Sequence, residues 1–306
     1  MAGPIEDVER VVSTRLPHGE TTRVDLFGDW TLVGGIADGL DQLTTWRDVR
    51  RDLRGTGWDV VLSIQWGGDA FDLSRLTDRE ELGWDHRAAH GPVPSSWAPD
   101  EIIAAADRWT DAAIDAALGD LVRAAITDRR SWSTVAEDVD QELETTARVC
   151  GDAPDAADVP LGVREDPFVL DRWLLDWELD HADPPGDWTP GWFEPTEHQT
   201  MVLWAFPHDS PFAWTAVDHW WASDLPFELA LFRRWHRDHG AALVSHFGTM
   251  LQVVVDRRPA DIDEAWRIAQ AQDLVSDALL APSGIALRHH ALGLLATDRW
   301  FLHSRP

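Results

Sequence analysis

The stretch ALVSHFGTMLQVVVD, residues 242–256, carries the clearest fold signal in the chain. Its two apolar runs, 242–247 and 250–256, predict consecutive β-strands. Outward from this pair, further strands are predicted at 201–206 and 299–303, and the spacing of apolar residues predicts three helices: 227–239, 262–280 and 285–295. The simplified order, β-α-β-β-α-β, is that of a split βαβ or ferredoxin-like unit. We therefore expect an α+β fold.

The part of the chain before this unit predicts a mixed α/β unit with two long helices. Three strands and three helices are expected in it: strands 23–27, 30–36 and 58–66 (WDVVLSIQW), and helices 40–53, 99–125 and 133–149. Residues 152–167 (DAPDAADVPLGVREDP) are aperiodic and rich in Pro, Ala and Asp, which is typical of a linker. This boundary predicts a first unit at 1–151 and a second at 168–306.

Composition restricts the partners that the protein can have. The chain of 306 residues has 54 Asp and Glu against 26 basic residues, all arginine, and so a formal net charge of −28. This balance disfavours binding to nucleic-acid phosphates or anionic lipid, so neither nucleic acid nor a membrane is expected as a partner. A single cysteine cannot form an internal disulfide or a thiolate-rich zinc site. The acidic start and the lack of a long apolar run predict a cytoplasmic protein.

Sequence motifs for catalysis, metal binding and cofactor binding are missing from the chain. It contains no GxSxG, Walker or dinucleotide-binding motif, and its 13 histidines, its acids and its lone cysteine show no HExxH, CxxC or calcium-loop spacing. We therefore predict no catalytic residue, no metal and no cofactor.

One acidic cluster is a candidate binding surface. Asp107, Asp111 and Asp115 recur at i, i+4 and i+8 on the predicted helix 99–125, so their carboxylates are expected to form a ridge that presents negative charge to a cationic partner. The alternative is a solvated helix face in a chain that is acidic throughout.

A candidate pocket is predicted where the ends of two helices of the second unit meet. In a sandwich both helices pack on one face of the sheet, so acid, imidazole and indole side chains near their ends would converge. The residues of this predicted pocket are Asp218, His219, Trp221, His236, His239 and Asp277. The alternative is that the tryptophans belong to the core and the histidines around them lie at the surface.

Five stretches in the last third of the chain follow one another in an order that one protein family shares. They read as a strand, a Trp segment, a helix with a Gly-Ala turn and strand, a strand with a long helix, and a Trp-bearing terminal strand: MVLWAFP (201–207), FAWTAVDHWW (212–221), FELALFRRWHRDHGAALV (227–244), TMLQVVVDRRPADIDEAWRIAQAQ (249–272) and RWFLHS (299–304). With them this part resembles the bacterial family called domain of unknown function 4253. The earlier chain matches the family only loosely, through WRDVRRDLRGTGW (46–58).

The chain departs from the family pattern at two places. The family's Cys-Pro-Asp after the long helix is Val275-Ser276-Asp277 here, which retains only the acid, and the aromatic-rich ending is reduced to residues 300–303 (WFLH). The resemblance implies no activity, so no catalytic residue follows from it. It does imply relatives among bacterial toxin–immunity and conflict proteins, which suits an acidic chain without catalytic motifs.

These observations favour a non-enzymatic cytoplasmic binding protein. Its acidic surface would face a basic protein partner, as in an immunity-like antagonist, because an excess of negative charge steers association with a positive surface. Two alternatives stay open: a small-molecule hydrolase or transferase that uses His and Asp residues, and an acidity that serves only solubility.

Overall fold

A computed structural model describes residues 3–26, 30–66, 98–181, 194, 199–218, 224–276, 279–280 and 285–304. Its strands join one mixed sheet. They are β1 (Thr22–Asp25), β2 (Thr31–Ile36), β3 (Asp59–Trp66), β4 (Gln199–Phe206), β5 (Ala242–Phe247), β6 (Met250–Val254) and β7 (Arg299–His303). The order across the sheet is β1-β2-β4-β3-β5-β6-β7.

Ten helices lie in the described ranges. They are α1 (Ile5–Arg15), α2 (Gln42–Leu53), α3 (Pro99–Ala106), α4 (Asp111–Trp132), α5 (Val135–Cys150), α6 (Leu161–Arg164), α7 (Pro167–His181), α8 (Leu225–His239), α9 (Ile262–Val275) and α10 (Leu287–Ala296). Local chemistry sets several of their ends. Thr134 and Glu137 form a reciprocal capping box at the start of α5, and Gly240 ends α8 in the left-handed conformation. In these ranges no helix is long and apolar enough to cross a membrane.

Strand β3 organises the centre of the sheet. It pairs antiparallel with β4 along eight residues and parallel with β5 at Leu62 and Ser63. Its residues Val60, Val61 and Leu62 are all buried, which is typical of a strand covered on both faces. A strand of this kind needs a partner on each side to satisfy its backbone groups.

Helices α1 and α2 cover one face of the sheet. Their apolar residues Val8, Val12, Trp46 and Val49 pack with inward-facing residues of the strands in one buried cluster, which includes Leu62. The indole nitrogen of Trp46 donates to the carbonyl of Val60 at 3.0 Å, so α2 is also hydrogen-bonded to the sheet.

Tryptophans fill the other face of the sheet. Trp204 of β4 stacks on Trp214, with ring centroids 6.3 Å apart, and Trp235 of α8 meets Trp300 of β7 edge-on at 5.8 Å. The Trp204 ring lies directly over Gly34 of β2, where any Cβ would overlap it. Gly34 therefore provides the space that this ring occupies.

Compact packing divides the chain into two units built from separate segments. The first comprises Met1–Ile114, Gly191–Arg257 and Arg299–Pro306 and contains the whole sheet. The second comprises Asp115–Pro190 and Arg258–Asp298, and the elements described in it are helices. The predicted linker, 152–167, is not where these units divide, because it lies inside the second unit and buries Val159 there.

The predicted α+β class is confirmed, and the strands expected at 201–206, 242–256 and 299–303 do share one sheet. A separate ferredoxin-like or split βαβ sheet is not confirmed. Strand β3, from before the predicted linker, lies between β4 and β5, because its buried apolar run pairs on both sides.

The single helix expected at 99–125 is two helices. Helix α3 ends at Ala106, and α4 begins at Asp111 after a break. The backbone N–H of Ala113 donates to the Thr110 hydroxyl at 3.2 Å, which caps the second helix. Asp107 therefore follows the end of α3 and Asp111 begins α4, so the prediction that the three acids share one helix is wrong.

Candidate functional site

The predicted pocket is described only in part. Residues His219, Trp221 and Asp277 lie outside the described residues, so the convergence of the six side chains stays a prediction. Asp218 lies in the turn after a short 3₁₀ segment, where its N–H donates to the carbonyl of Trp214. Its Oδ2 is 3.3 Å from Nδ1 of His246, a strand residue that the sequence did not single out.

This His246–Asp218 pair is a core feature of the first unit. His246 is fully buried, and Asp218 is nearly so. The register partner of His246 on β3 is Ser63, which is also buried. The trio resembles a nucleophile, a base and an acid by residue type, but its burial keeps a substrate away from the imidazole.

His236 and His239 both tie the end of α8 to backbone carbonyls. His236 donates through Nδ1 to the carbonyl of Ala241 at 2.8 Å, and His239 through Nδ1 to that of Arg257 at 3.2 Å. The ring of His239 also lies 5.6 Å from the Trp300 ring. These contacts hold the helix end in place, and they leave Nε2 as the second polar atom of each ring.

Two residues of the predicted acidic ridge are engaged within the first unit. Asp107 pairs with Arg233 of α8, and Asp111 lies 3.2 Å from the guanidinium of Arg237. Exposed pairs like these contribute about 0–1 kcal/mol each. Asp115, which belongs to the second unit, is exposed. The ridge is therefore partly neutralised by arginines of this chain.

A different surface of the second unit combines charge with apolar groups. Among the described residues, the exposed large hydrophobics are Leu161, Val169 and Leu179, which are 78%, 45% and 45% exposed and all belong to this unit. Val169 and Leu179 lie on α7 ten residues apart, and helical spacing places the exposed Asp176 one turn before Leu179 and Asp180 directly after it. We call Val169, Asp176, Leu179 and Asp180 the α7 face.

Arg172 lies on the same helix as the α7 face, and it is already engaged. Its guanidinium lies 3.4 Å from Asp176 and 2.7 Å from Asp263, and 5.9 Å from the centre of the Trp266 ring. Two carboxylates therefore share one arginine, which leaves the face with net negative charge beside its apolar side chains.

The inner side of α7 is held by a buried ionic cluster around Arg288. This fully buried guanidinium donates to Glu178 at 2.7 Å and to Glu142 at 2.7 Å, and it also pairs with Asp171. His289 lies 3.0 Å from the second oxygen of Glu178. The Arg288 cluster thus connects α7 with α5 and α10, so the α7 face stands on a rigid support.

Burial and charge act in opposite directions on the acids of the Arg288 cluster. Burial raises the pKa of Asp171 to about 6, even though Arg288 acts to lower it. Burial also acts to raise the pKa of Glu178, but the hydrogen bond from His289 and the charge of Arg288 outweigh it and lower that pKa. Nearby, burial lowers the pKa of His290, which is 2.7 Å from Gln272, to about 4.

Sequence reasoning missed Arg288, although a signal was present. The helix reads LRHHALGLLA, in which an arginine and two histidines occupy one turn of an apolar helix. Asp171 and Glu178 likewise sit at positions that the apolar period of α7 assigns to its buried side. In the described part of the chain, no group of three or more His, Cys, Asp and Glu side chains is arranged to hold a metal ion.

Comparison with known families adds one match. Residues 208–303 match the family model described as Domain of unknown function (DUF4253). The predicted resemblance of the last third is thereby confirmed. The match includes both Asp218 and His246 of the first unit and Arg288 of the second. No curated protein and no solved structure matched the chain.

Proposed function

We propose that the protein is a non-enzymatic binding protein whose α7 face recognises a basic segment of another protein. The observation that supports this most directly is the exposure of Val169 and Leu179 beside Asp176 and Asp180. A basic partner that pairs with Asp176 and Asp180 would also cover Leu179, which lies between them in the sequence.

Charge favours a basic partner. The second unit has 25 Asp and Glu against 9 Arg, a net charge of −16, whereas the larger first unit has 29 against 17, a net of −12. A field of this sign raises the association rate of a positive partner. The two apolar side chains then supply the desolvated contacts that charge alone does not provide.

The partner that fits best is an amphipathic basic segment with apolar residues on one side and Arg or Lys beside them. Such a segment can bury Val169 and Leu179 while its cations meet Asp176 and Asp180. An immunity-like antagonist in the cytoplasm that covers the basic surface of a toxin would act in this way.

The two alternatives have less support. A hydrolase or transferase that uses His and Asp would have to use a pair other than His246–Asp218, which is buried. Acidity that serves solubility alone predicts that changing the α7 face leaves the binding of basic proteins unaltered.

Affinity capture with matched variants tests the proposal. The wild-type chain, Asp176→Asn/Asp180→Asn with Leu179→Ser, and a control, Asp152→Asn/Asp155→Asn, are each immobilised and exposed to an extract of the source cells at low and high salt. Both Asp152 and Asp155 are exposed acids of the same unit outside the α7 face. We expect a basic protein that the control retains and the α7-face variant loses, with weaker capture at high salt.

A captured protein supports the proposal only if, once purified, it binds the wild type and the control at least about tenfold more tightly than the α7-face variant. If every captured protein binds all three chains equally, or if no basic protein is captured, the proposal is wrong.

A further inference from the structure

An open cleft of about 690 Å³ lies in the first unit and shares no lining residue with the α7 face. It is bounded by the last turns of α2 and the turn that leads to β3, together with the end of α8, the start of β5 and the end of β6. A cleft of this size is large enough for a small organic ligand.

Most arginines that line this cleft are already engaged by the chain itself. Arg50 lies 3.0 Å from Asp59, and Arg51 lies 2.9 Å from Asp48. Arg47 has a partner as well. The lining polar atoms that stay unpaired therefore decide which ligand the cleft suits.

The buried carboxylate of Asp59 contributes one of these atoms. Its side chain is only 5% exposed, and the hydrogen bonds that it accepts from Arg50 at 3.0 Å and from the N–H of Val60 at 2.9 Å both go to Oδ1. Oδ2 accepts no hydrogen bond from a described residue and is not enclosed in the core, so it opens into the cleft. An ionised carboxylate has lone pairs on both oxygens, so Oδ2 can accept from a ligand.

The electrostatics of Asp59 favour an additional donor. Burial raises the pKa of Asp59, although the charges of Arg50 and His236 act to lower it. A ligand that donates a hydrogen bond to Oδ2 would stabilise the ionised carboxylate further.

Asp256 presents a second carboxylate to the cleft. Its backbone N–H donates to the carbonyl of His239 at 3.0 Å, and its side chain lies against Gly240, where any Cβ would overlap it. Asp256 is exposed and forms no ion pair with any residue that the structure describes. Asp209, which is 87% exposed, adds a further carboxylate to the lining. The unpaired charge on this side of the cleft is therefore negative.

Two more lining residues suit hydroxyl groups. Nδ1 of His236 is 2.8 Å from the carbonyl of Ala241, to which it donates, so Nε2 of the neutral ring is an acceptor. Arg54 is exposed at the end of α2, forms no ion pair within the described ranges, and supplies N–H donors. A hydroxyl group can donate to the first residue and accept from the second.

We propose that this cleft binds a small hydroxylated amine, whose ammonium group pairs with Asp256 while one of its hydroxyl groups donates to Oδ2 of Asp59. An ammonium group carries three N–H donors and the charge that the unpaired carboxylate of Asp256 attracts. The first unit, with a net charge of −12, raises the local concentration of such a cation.

Isothermal titration calorimetry at constant ionic strength tests the proposal with glucamine, an open-chain amino polyol, and with sorbitol, in which a hydroxyl group replaces the amine. We expect the wild type to bind glucamine with millimolar affinity or better, and sorbitol at least about tenfold more weakly. Asp256→Asn should weaken the binding of glucamine at least about tenfold. The matched control, Glu20→Gln, removes one charge from an exposed acid outside the cleft and should leave the affinity unchanged.

Asp59→Asn tests the buried oxygen. Arg50 and Val60 both donate to Oδ1, so the amide oxygen should stay with them and the amide N–H₂ should replace the acceptor in the cleft. We expect glucamine to bind about threefold more weakly or worse. Circular dichroism shows whether this variant is folded. If it is not, Asp256→Asn decides, because its side chain is exposed.

The proposal is wrong if the wild type binds glucamine no more tightly than sorbitol, or fails to bind it at millimolar concentration. It is also wrong if Asp256→Asn and Glu20→Gln bind glucamine equally, because the affinity then reflects the overall charge of the chain. A folded Asp59→Asn chain that binds as tightly as the wild type would overturn the contact at Oδ2.

Discussion

The two units of this protein differ in how much charge they bury. The first unit builds an apolar core on both faces of a sheet, and its Asp107–Arg233 and Asp111–Arg237 pairs are solvent-exposed. The second unit places an ionised group at its centre, with Arg288 buried among Glu142, Asp171 and Glu178. A sheet covered on both faces supplies enough apolar area for a core. The second unit is smaller and helical, and it also relies on the buried ionic network around Arg288. Its apolar cluster of buried residues comprises only a few side chains: Val139, Val159, Leu170 and Leu174.

The largest expected effect follows removal of the buried charge. Arg288→Met leaves Asp171 and Glu178 buried without their cation, so we expect the free energy of unfolding to fall by about 3–5 kcal/mol. Urea denaturation followed by circular dichroism measures this loss. The matched control is Arg123→Gln, an exposed arginine of the same unit. A loss for Arg288→Met no larger than that of the control would show that the two units do not differ as described.

The pH dependence of stability is expected to come from the second unit. Burial lowers the pKa of His290 from 6.5 to about 4, so the unfolded chain takes up a proton at higher pH than the folded one. The contribution of His290 to the free energy of unfolding is therefore fully present above pH 6.5. It decreases as the pH falls toward 4, by up to about 3 kcal/mol. Urea denaturation between these pH values measures it. His290→Gln, which keeps a donor for Gln272, is expected to remove this slope, and an unchanged slope would contradict the assignment.

Asp171 is expected to act with the opposite sign. Its folded pKa of about 6 lies above the ordinary 3.8, so the folded chain holds the proton more firmly. This contribution to stability is complete below about pH 4 and is lost as the pH rises through 6. Asp171→Asn should therefore make stability rise more steeply with pH over that interval than in the wild type. The same urea series shows whether the two curves diverge in this direction.

The first unit is expected to be sensitive to shape, because its core is packed against rings. Gly34→Ala adds a methyl group where the Trp204 ring lies, so we expect a loss of about 1–3 kcal/mol through overpacking. Gly119→Ala is the matched control. Gly119 lies within α4, where the nearest atom to an added Cβ is the end of the Arg123 side chain at 3.6 Å. The control should be neutral or stabilising by up to about 1 kcal/mol. Thermal denaturation compares the two, and equal effects would argue against close packing at Gly34.

The smallest effect is expected at the exposed ion pairs. Asp111→Asn removes the partner of Arg237, and we expect a change in the free energy of unfolding below about 1 kcal/mol that vanishes in high salt. Urea denaturation at two salt concentrations measures it. A loss comparable to that of Arg288→Met would remove the contrast between surface and buried pairs.

Local pattern alone predicted most elements of this protein. The helix at 40–53 and the strands at 242–247 and 299–303 agree closely with α2, β5 and β7, because apolar spacing and end residues are local properties. The family resemblance of the last third also came from the sequence, since it depends on the order of short motifs. The break between α3 and α4 also had a local signal, because Thr110 is a residue type that caps helices and it stands directly before Asp111.

Only the tertiary structure decided which elements meet. Strand β3 lies between β4 and β5 although 132 residues separate the end of β3 from the start of β4 (66 to 199), and a pairing over that distance leaves no trace in local periodicity. The same holds for Arg288, whose carboxylate partners lie more than 100 positions away. A sequence shows that a charge is present in an apolar helix, but burial and the partners that compensate it are decided by packing between distant segments.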